Sequence, residues 1–336
     1  MDFPLGDIPI PAPPWLFLTV LLAIFFLHAT AMWMTVGGLI IGVTQLIRER
    51  VYWQKEKVLR YMPILMAIAI NLGVPPLLML QVLYAPFFFT SSVLIAGPWL
   101  GVFFLLNLTY GMVYAARYGA KERWQAITFL IVSTISALLI SFFFTNNISL
   151  MISPQLWEAM YSSTRNGFQL NPELFSVTMR WIWVLSPAFI AGSFLLKDSK
   201  LWGVLSGLMA LVGLYFYRQT ISAEILSYPL VDLTTWLSNI FAVMVIAFAI
   251  MPLPKLEEHI QRLIQLFLTL GMGGSIVALR HGIRCAALDP IYPLSRLEEL
   301  NMQPQPVLIA IFVIAILVGL GVVFWMYIRG GKELAI

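Results

Sequence analysis

Charge is the first thing this chain lacks. Only 11% of its 336 residues are Asp, Glu, Lys or Arg, against 60% hydrophobic, and the mean hydropathy is +0.88. Soluble domains carry about 25% charge, so a water-soluble fold is excluded. Cysteine is reduced to Cys285. An internal disulfide is therefore excluded, and no Cys-x-x-Cys-His run exists for covalent haem attachment. Histidine is limited to His28, His259 and His281. No metal-spaced His/Cys cluster, P-loop or His-Glu-x-x-His motif occurs, which removes hydrolytic and ATP-driven chemistry. All 16 acidic residues fall in loops or at helix ends. Proton-pumping relays need carboxylates in mid-membrane, so that class also loses its means.

What fills the chain instead is long apolar runs. Nine of them, at about 15–46, 61–85, 92–116, 125–148, 175–196, 201–217, 231–251, 262–280 and 306–328, can cross roughly 30 Å of hydrocarbon. The expected fold class is an all-α polytopic membrane protein, a bundle of about nine transmembrane helices. It reads as a single integral membrane domain over 1–336, with one helical half at about 15–148 and a second at about 175–328. The basic residues divide 14 to 6 in favour of the segments that are inside if the N-terminus is outside, so N-out and C-in is expected. The net charge of +4 thus reflects topology and not nucleic-acid binding. Asp2 and Asp7 precede the first run where a signal peptide carries basic residues, so the first helix is expected to stay in the mature protein.

The longest connecting segments, Ser149–Glu173, Gln219–Leu230 and Arg280–Pro306, fall outside and offer surfaces for a partner. In the first, 154–161 reads as a short interfacial helix with Trp157 and Tyr161 as anchors. In the third, prolines 290, 293, 304 and 306 imply turns around a short helix at 295–301. Pro252-Leu-Pro254 is expected to open an inner-surface helix containing His259. Pro75-Pro76 is expected to break the second helix, a feature shared with transporters.

His28 lies about halfway along the first apolar run, in Leu27-His-Ala-Thr-Ala-Met32. Imidazole at that depth needs a partner and marks a candidate site. Ile24, Phe25, Ala31, Met32 and Thr35 share its helical face, and small Ala31 leaves room for a flat macrocycle. Asn71 and Asn107 fall at a similar depth on the next two helices and could orient the ring. Haem iron is the expected partner, with a hydrogen bond to one of these amides or a quinone contact as the other readings. With no second mid-membrane histidine, a sixth ligand would be a methionine. Met272, in Leu270-Gly-Met-Gly-Gly-Ser275, has suitable depth, and packing is its other reading. Arg280 and Arg284, one turn apart at the outer end of the eighth run, suit haem propionates or anionic lipid. His281 between them could ligate haem or accept a proton from quinol. Arg180 and Arg218 are expected to snorkel to the interface.

Phe26-Leu-His-Ala-Thr-Ala-Met-Trp-Met-Thr-Val-Gly-Gly38 and Asn71-Leu-Gly-Val-Pro-Pro-Leu-Leu-Met-Leu-Gln-Val-Leu-Tyr84 resemble subunit I of cytochrome bd quinol oxidases. They resemble more closely the divergent bd-like membrane subunits associated with c-type cytochromes in bacterial respiratory chains. The resemblance covers about residues 20–100. It implies nine helices with N-out and C-in, a haem-ligating histidine on the first helix at His28, and a bacterial inner-membrane location. It departs on the fifth helix, where Val177-Thr-Met-Arg-Trp-Ile-Trp-Val184 has no second ligating histidine, and on the third, which lacks the oxidases' buried glutamates. The expectation is a membrane electron-transfer subunit with non-covalent haem b and a quinol substrate. Its partners would be a c-type cytochrome or an iron–sulfur subunit on the outer face, and membrane lipid. A haem-free quinone-binding anchor, with its pocket near Arg280–Arg284 or Asn71/Gln81, is the alternative, and a transporter the third reading.

Overall fold

The computed structural model describes residues 12–48, 53–163, 167–196, 200–251 and 257–292, with short pieces between 305 and 325. Among these residues all regular structure is helical, and the chain is an all-α multi-pass membrane protein. Eight described helical stretches are long and apolar enough to span a bilayer. They are built from α1 (Pro14–Arg48), α2 (Lys57–Leu83), a short α3 (Ala85–Leu94), α4 (Ala96–Tyr114), α5 (Arg123–Met151), a surface helix α6 (Trp157–Ser163), α7 (Leu174–Leu185) with α8 (Pro187–Leu196), α9 (Lys200–Arg218), α10 (Ala223–Leu226), α11 (Pro229–Ile250) and α12 (Glu258–Leu288). Successive spans alternate in direction. Pro14, Leu83, Met151, Leu174, Arg218, Pro229 and Leu288 therefore share one end, called the Pro14 end below. The ninth expected span falls mostly outside the described residues, as do the helix at 295–301 and Pro252-Leu-Pro254.

Four details differ from the sequence reading. Pro75-Pro76 does not break α2, which runs unbroken through Pro63, Pro75 and Pro76. Each proline removes the bond to the carbonyl four residues back, a loss that membrane helices tolerate where neighbours compensate. Residues 86–91, left between two runs, belong to α3, whose Ser91 donates to Asn147 Oδ1 at 2.6 Å while Asn147 Nδ2 donates to Ser92 Oγ at 2.9 Å. Those bonds pin α3 to α5. His259 lies in the first turn of α12 and pairs with Glu257 at 3.1 Å. The eighth run, finally, continues to Leu288, so Arg280, His281 and Arg284 sit inside α12 and not at its end.

The real break is at Pro187, which splits the fifth span into α7 and α8. Without the Pro187 N–H, Trp183 O loses its partner four residues on and keeps only the backbone Ser186 N at 3.2 Å, and in hydrocarbon no water replaces the lost bond. Three side chains bond to carbonyls around the break. Ser186 Oγ donates to Trp183 O at 2.7 Å, Trp33 Nε1 of α1 donates to Val184 O at 2.7 Å, and Ser206 Oγ of α9 donates to Ser186 O at 2.6 Å. The kink therefore fixes the positions of α1 and α9 against the fifth span. Just beyond it α1 and α8 touch backbone to backbone. A Cβ on Gly37 would sit 1.7 Å from Ala188 O, and one on Gly192 would sit 2.3 Å from Gly37 C. The main core collects around this seam, with Trp33, Leu39, Trp183, Met272 and Ile276 all buried.

The seam gives a direct test. Gly37→Ala must push two backbones apart and should cost about 2 kcal/mol or more, in the upper range for overpacking. Gly111→Ala, on α4 with no heavy atom within 4 Å, should instead gain about 0.5–1 kcal/mol by removing a mid-helix glycine. Thermal unfolding midpoints in detergent check both, and a neutral Gly37→Ala would refute the close approach.

Candidate functional site

The site at the Pro14 end is built in two layers, one around His28 and one around α12. His28 sits about 21 Å along α1 from Pro14 and faces α2. Its Nδ1 lies 2.8 Å from Ala69 O. A carbonyl only accepts, so the proton is on Nδ1, and in the neutral ring the Nε2 lone pair is left free. No hydrogen bond to Nε2 occurs among the described residues. Gly73, one turn beyond Ala69, makes the space: a Cβ there would lie 2.8 Å from His28 Cε1 and 3.1 Å from Nδ1. Gly73 thus makes room for the imidazole itself, while Ala31, expected to leave room for a macrocycle, is buried on α1.

Asn71 and Asn107 do not reach this ring with a hydrogen bond. Each folds back on its own helix, Asn71 Nδ2 to Ala67 O and Asn107 Nδ2 to Phe103 O, both at 2.8 Å, and both side chains are exposed. A carbonyl four residues back is the nearest acceptor for an amide that hydrocarbon surrounds, and that proximity wins. Met32 is partly buried against the main core. Met272 is fully buried, and its sulfur receives Ser206 Oγ at 3.9 Å on the α9 side, which places it in the packing around the Pro187 kink.

Phe25 joins the two layers. Its ring is 6.2 Å from that of His28, and the Arg280 guanidinium lies 4.7 Å from its centroid. Further along α12, Arg284 Nη2 donates to His281 Nδ1 at 2.9 Å, and Cys285 Sγ lies 3.5 Å from His281 Nε2. With Nδ1 accepting from Arg284, His281 is the Nε2–H tautomer, which leaves no free lone pair for iron or for a quinol proton in this arrangement. The Arg284 guanidinium stacks 4.8 Å from the Tyr84 centroid at the end of α2. From Tyr84 an aromatic chain passes by Tyr292 and Phe87 to Trp157 on α6. Trp157 is turned inward, its Nε1 bonded to Leu150 O at 2.9 Å, while Tyr161 is 61% exposed.

Arg180 departs furthest from expectation. It does not snorkel: it is 1% exposed on α7, stacked 5.7 Å from the Tyr217 centroid, with Nη1 bonded to Ser149 Oγ at 3.1 Å. Tyr84, Gly73, Ala69 and Tyr217 join the site without having been singled out in the sequence. A tyrosine or glycine in an apolar run carries no signal of its own until the facing helix is known. Separately, a cleft of about 640 Å³ opens between α9 and α11, lined by Leu211, Tyr215, Phe216, Arg218, Gln219 and Asn239. Apolar walls with a few polar heads are the usual make-up of a small-molecule site. Arg218 thus lines a cleft.

Comparison with protein-family models, curated proteins and solved structures found no match.

The His28–Gly73 contact predicts a change of sign. Gly73→Ala presses on the imidazole and should cost about 1–3 kcal/mol. In a His28→Ala background the same change should be neutral or favourable by up to about 1 kcal/mol, because only the glycine penalty remains. A double-mutant cycle read from unfolding midpoints measures this, and additive effects would show that the two residues do not touch.

Proposed function

We propose that this chain is a membrane electron-transfer subunit of a bacterial inner-membrane respiratory chain. In this reading it holds haem b non-covalently, oxidises quinol, and passes electrons to a c-type cytochrome or iron–sulfur partner on the Pro14 side. The observation that carries the proposal is the pose of His28, with Nδ1–H anchored to Ala69 O at 2.8 Å and Nε2 without a hydrogen-bond partner among the described residues. Metal-binding histidines commonly donate their other N–H to a backbone carbonyl, which fixes the tautomer and raises the basicity of the ligating nitrogen. His28 would hold the haem iron through Nε2. When bound, haem would supply one-electron transfer at the Pro14 end.

The protein's own contribution is positional and electrostatic. Ala69 and Gly73 hold the imidazole, Phe25 covers it, and Arg280 brings positive charge within electrostatic range of it. A cation there favours an electron-rich neighbour, so it would raise a reduction potential. The cleft between α9 and α11 supplies apolar walls with guanidinium and amide heads suited to a quinone ring. The same cleft favours the second reading, a haem-free quinone-binding anchor. A transporter has less behind it, since α2 is continuous through Pro75-Pro76.

A reduced-minus-oxidised absorption spectrum of the purified protein separates the two readings. A haem b band is expected, and His28→Ala should remove most of it while the protein still inserts; an unchanged spectrum in that variant would sink the ligand assignment.

Oxygen is the second test. The described carboxylates sit at helix ends, as Glu173, Asp232, Glu258 and Asp289 do, so proton delivery to a four-electron reduction has no visible route. Quinol should reduce a cytochrome acceptor with negligible oxygen uptake. Fast oxygen consumption on an electrode, with quinol as sole donor, would restore an oxidase.

A further inference from the structure

Arg180, Arg280 and Arg284 at the Pro14 end have no ion pair among the described residues. Arg180 and Arg284 are 1% and 8% exposed, and Arg280 lies within electrostatic range of both. Arg180 is about 9 Å along α7 from Leu174, and Arg284 and Arg280 are about 6 Å and 12 Å back from Leu288. All three thus lie within spanning helices and short of their ends. The rings of Tyr217, Tyr84 and Phe25 each take one guanidinium face. Stacking leaves the edges, where the N–H groups are. Nε and Nη2 of Arg180 and Nε of Arg284 are buried with no hydrogen-bond partner, and so is Nδ2 of Asn146, one turn from Ser149 on α5. The ion pairs described, Glu257–His259 and Glu258–Arg262, lie at the opposite end of α12.

Buried charge persists only when paired, and adjacent like charges raise the cost further. We propose that Arg180, Arg280 and Arg284 form a receptor for one oxyanion group, a carboxylate or phosphate, carried by an amphiphile that lies in the membrane. Guanidinium forks match the planar or tetrahedral oxygens of those groups through paired N–H···O bonds. Arg180 is the central member, because it has two unpaired donors and the deepest burial. The amphiphile follows from location, since the donors are enclosed among membrane-spanning helices and have no contact with bulk water. Two sources share this chemistry: a haem propionate and the headgroup of an anionic phospholipid. The receptor does not rest on iron ligation by His28, because the unpaired donors demand an anion whether or not iron is bound.

The experiment purifies the full chain in mild detergent and measures bound porphyrin and bound phosphorus per protein, for the unaltered chain, Arg180→Gln, Arg180→Lys and Arg117→Gln. The unaltered chain should retain one of the two ligands. Arg180→Gln should weaken its retention by about tenfold or more, the scale of one charge-assisted bond; Arg180→Lys should fall between, and Arg117→Gln at the far end should change nothing. Loss of porphyrin in Arg180→Gln identifies a propionate, and loss of phosphorus a phospholipid. Phosphorus without porphyrin in the unaltered chain refutes the haem reading and leaves the receptor standing. Porphyrin that is lost in His28→Ala but kept in Arg180→Gln does the reverse. Retention of neither ligand, or equal retention in Arg180→Gln, overturns the receptor. Should Arg180→Gln fail to fold, Arg280→Gln and Arg284→Gln carry the same readings.

Discussion

A backbone carbonyl in hydrocarbon has no water to turn to, and that constraint organises nearly everything polar in this bundle. Where the helix supplies its own partners, the chain stays regular. Where it does not, a side chain is spent on the gap. Trp33, Ser186 and Ser206 close the carbonyls around the Pro187 kink. Thr30, Thr35, Asn71 and Asn107 each bond back to a carbonyl four residues earlier. His28 obeys the same rule across a helix boundary, donating to Ala69 O. The pose that makes it a ligand candidate is therefore also the cheapest way to bury its N–H.

The arginines are the exception that the rule makes visible. A hydroxyl or amide in an apolar bundle finds a carbonyl within reach, whereas a guanidinium brings five N–H donors and a charge. Arg180 obtains one hydroxyl, Ser149, and one aromatic face, Tyr217. That is too little for a group so fully removed from solvent. The Pro14 end thus combines a positioned imidazole with a group of arginines held within the bundle, joined through Phe25. Each feature is open to test without the other.

Much of the architecture was legible in the chain itself. Mean hydropathy, sparse charge and runs of about twenty apolar residues dictate spanning helices, because no other open segment can satisfy its backbone in lipid. The depth of His28 could be counted from the start of its run. The surface helix expected at 154–161 from its proline start and aromatic spacing runs to Ser163, although Trp157 turned inward to Leu150. Helix ends were less legible. Apolar-run boundaries stop at the first charge, yet α12 carries Arg280 and Arg284 well inside its length because the bundle, and not the interface, receives them.

The sequence by itself determined that the chain crosses a membrane as helices, that very few of its residues can titrate or ligate a metal there, and that His28 lies about halfway along the first span. Those properties are sums along the chain, of transfer free energy and of charge, and need no knowledge of neighbours. Only the tertiary structure decided which proline bends a helix, which glycine makes room for the imidazole, and whether an arginine near a helix end reaches water or turns inward. Each of those outcomes depends on what the facing helix offers at that height. Pro187 breaks where Trp33 and Ser206 can compensate, Gly73 matters because His28 stands opposite, and Arg180 is buried because Ser149 and Tyr217 face it.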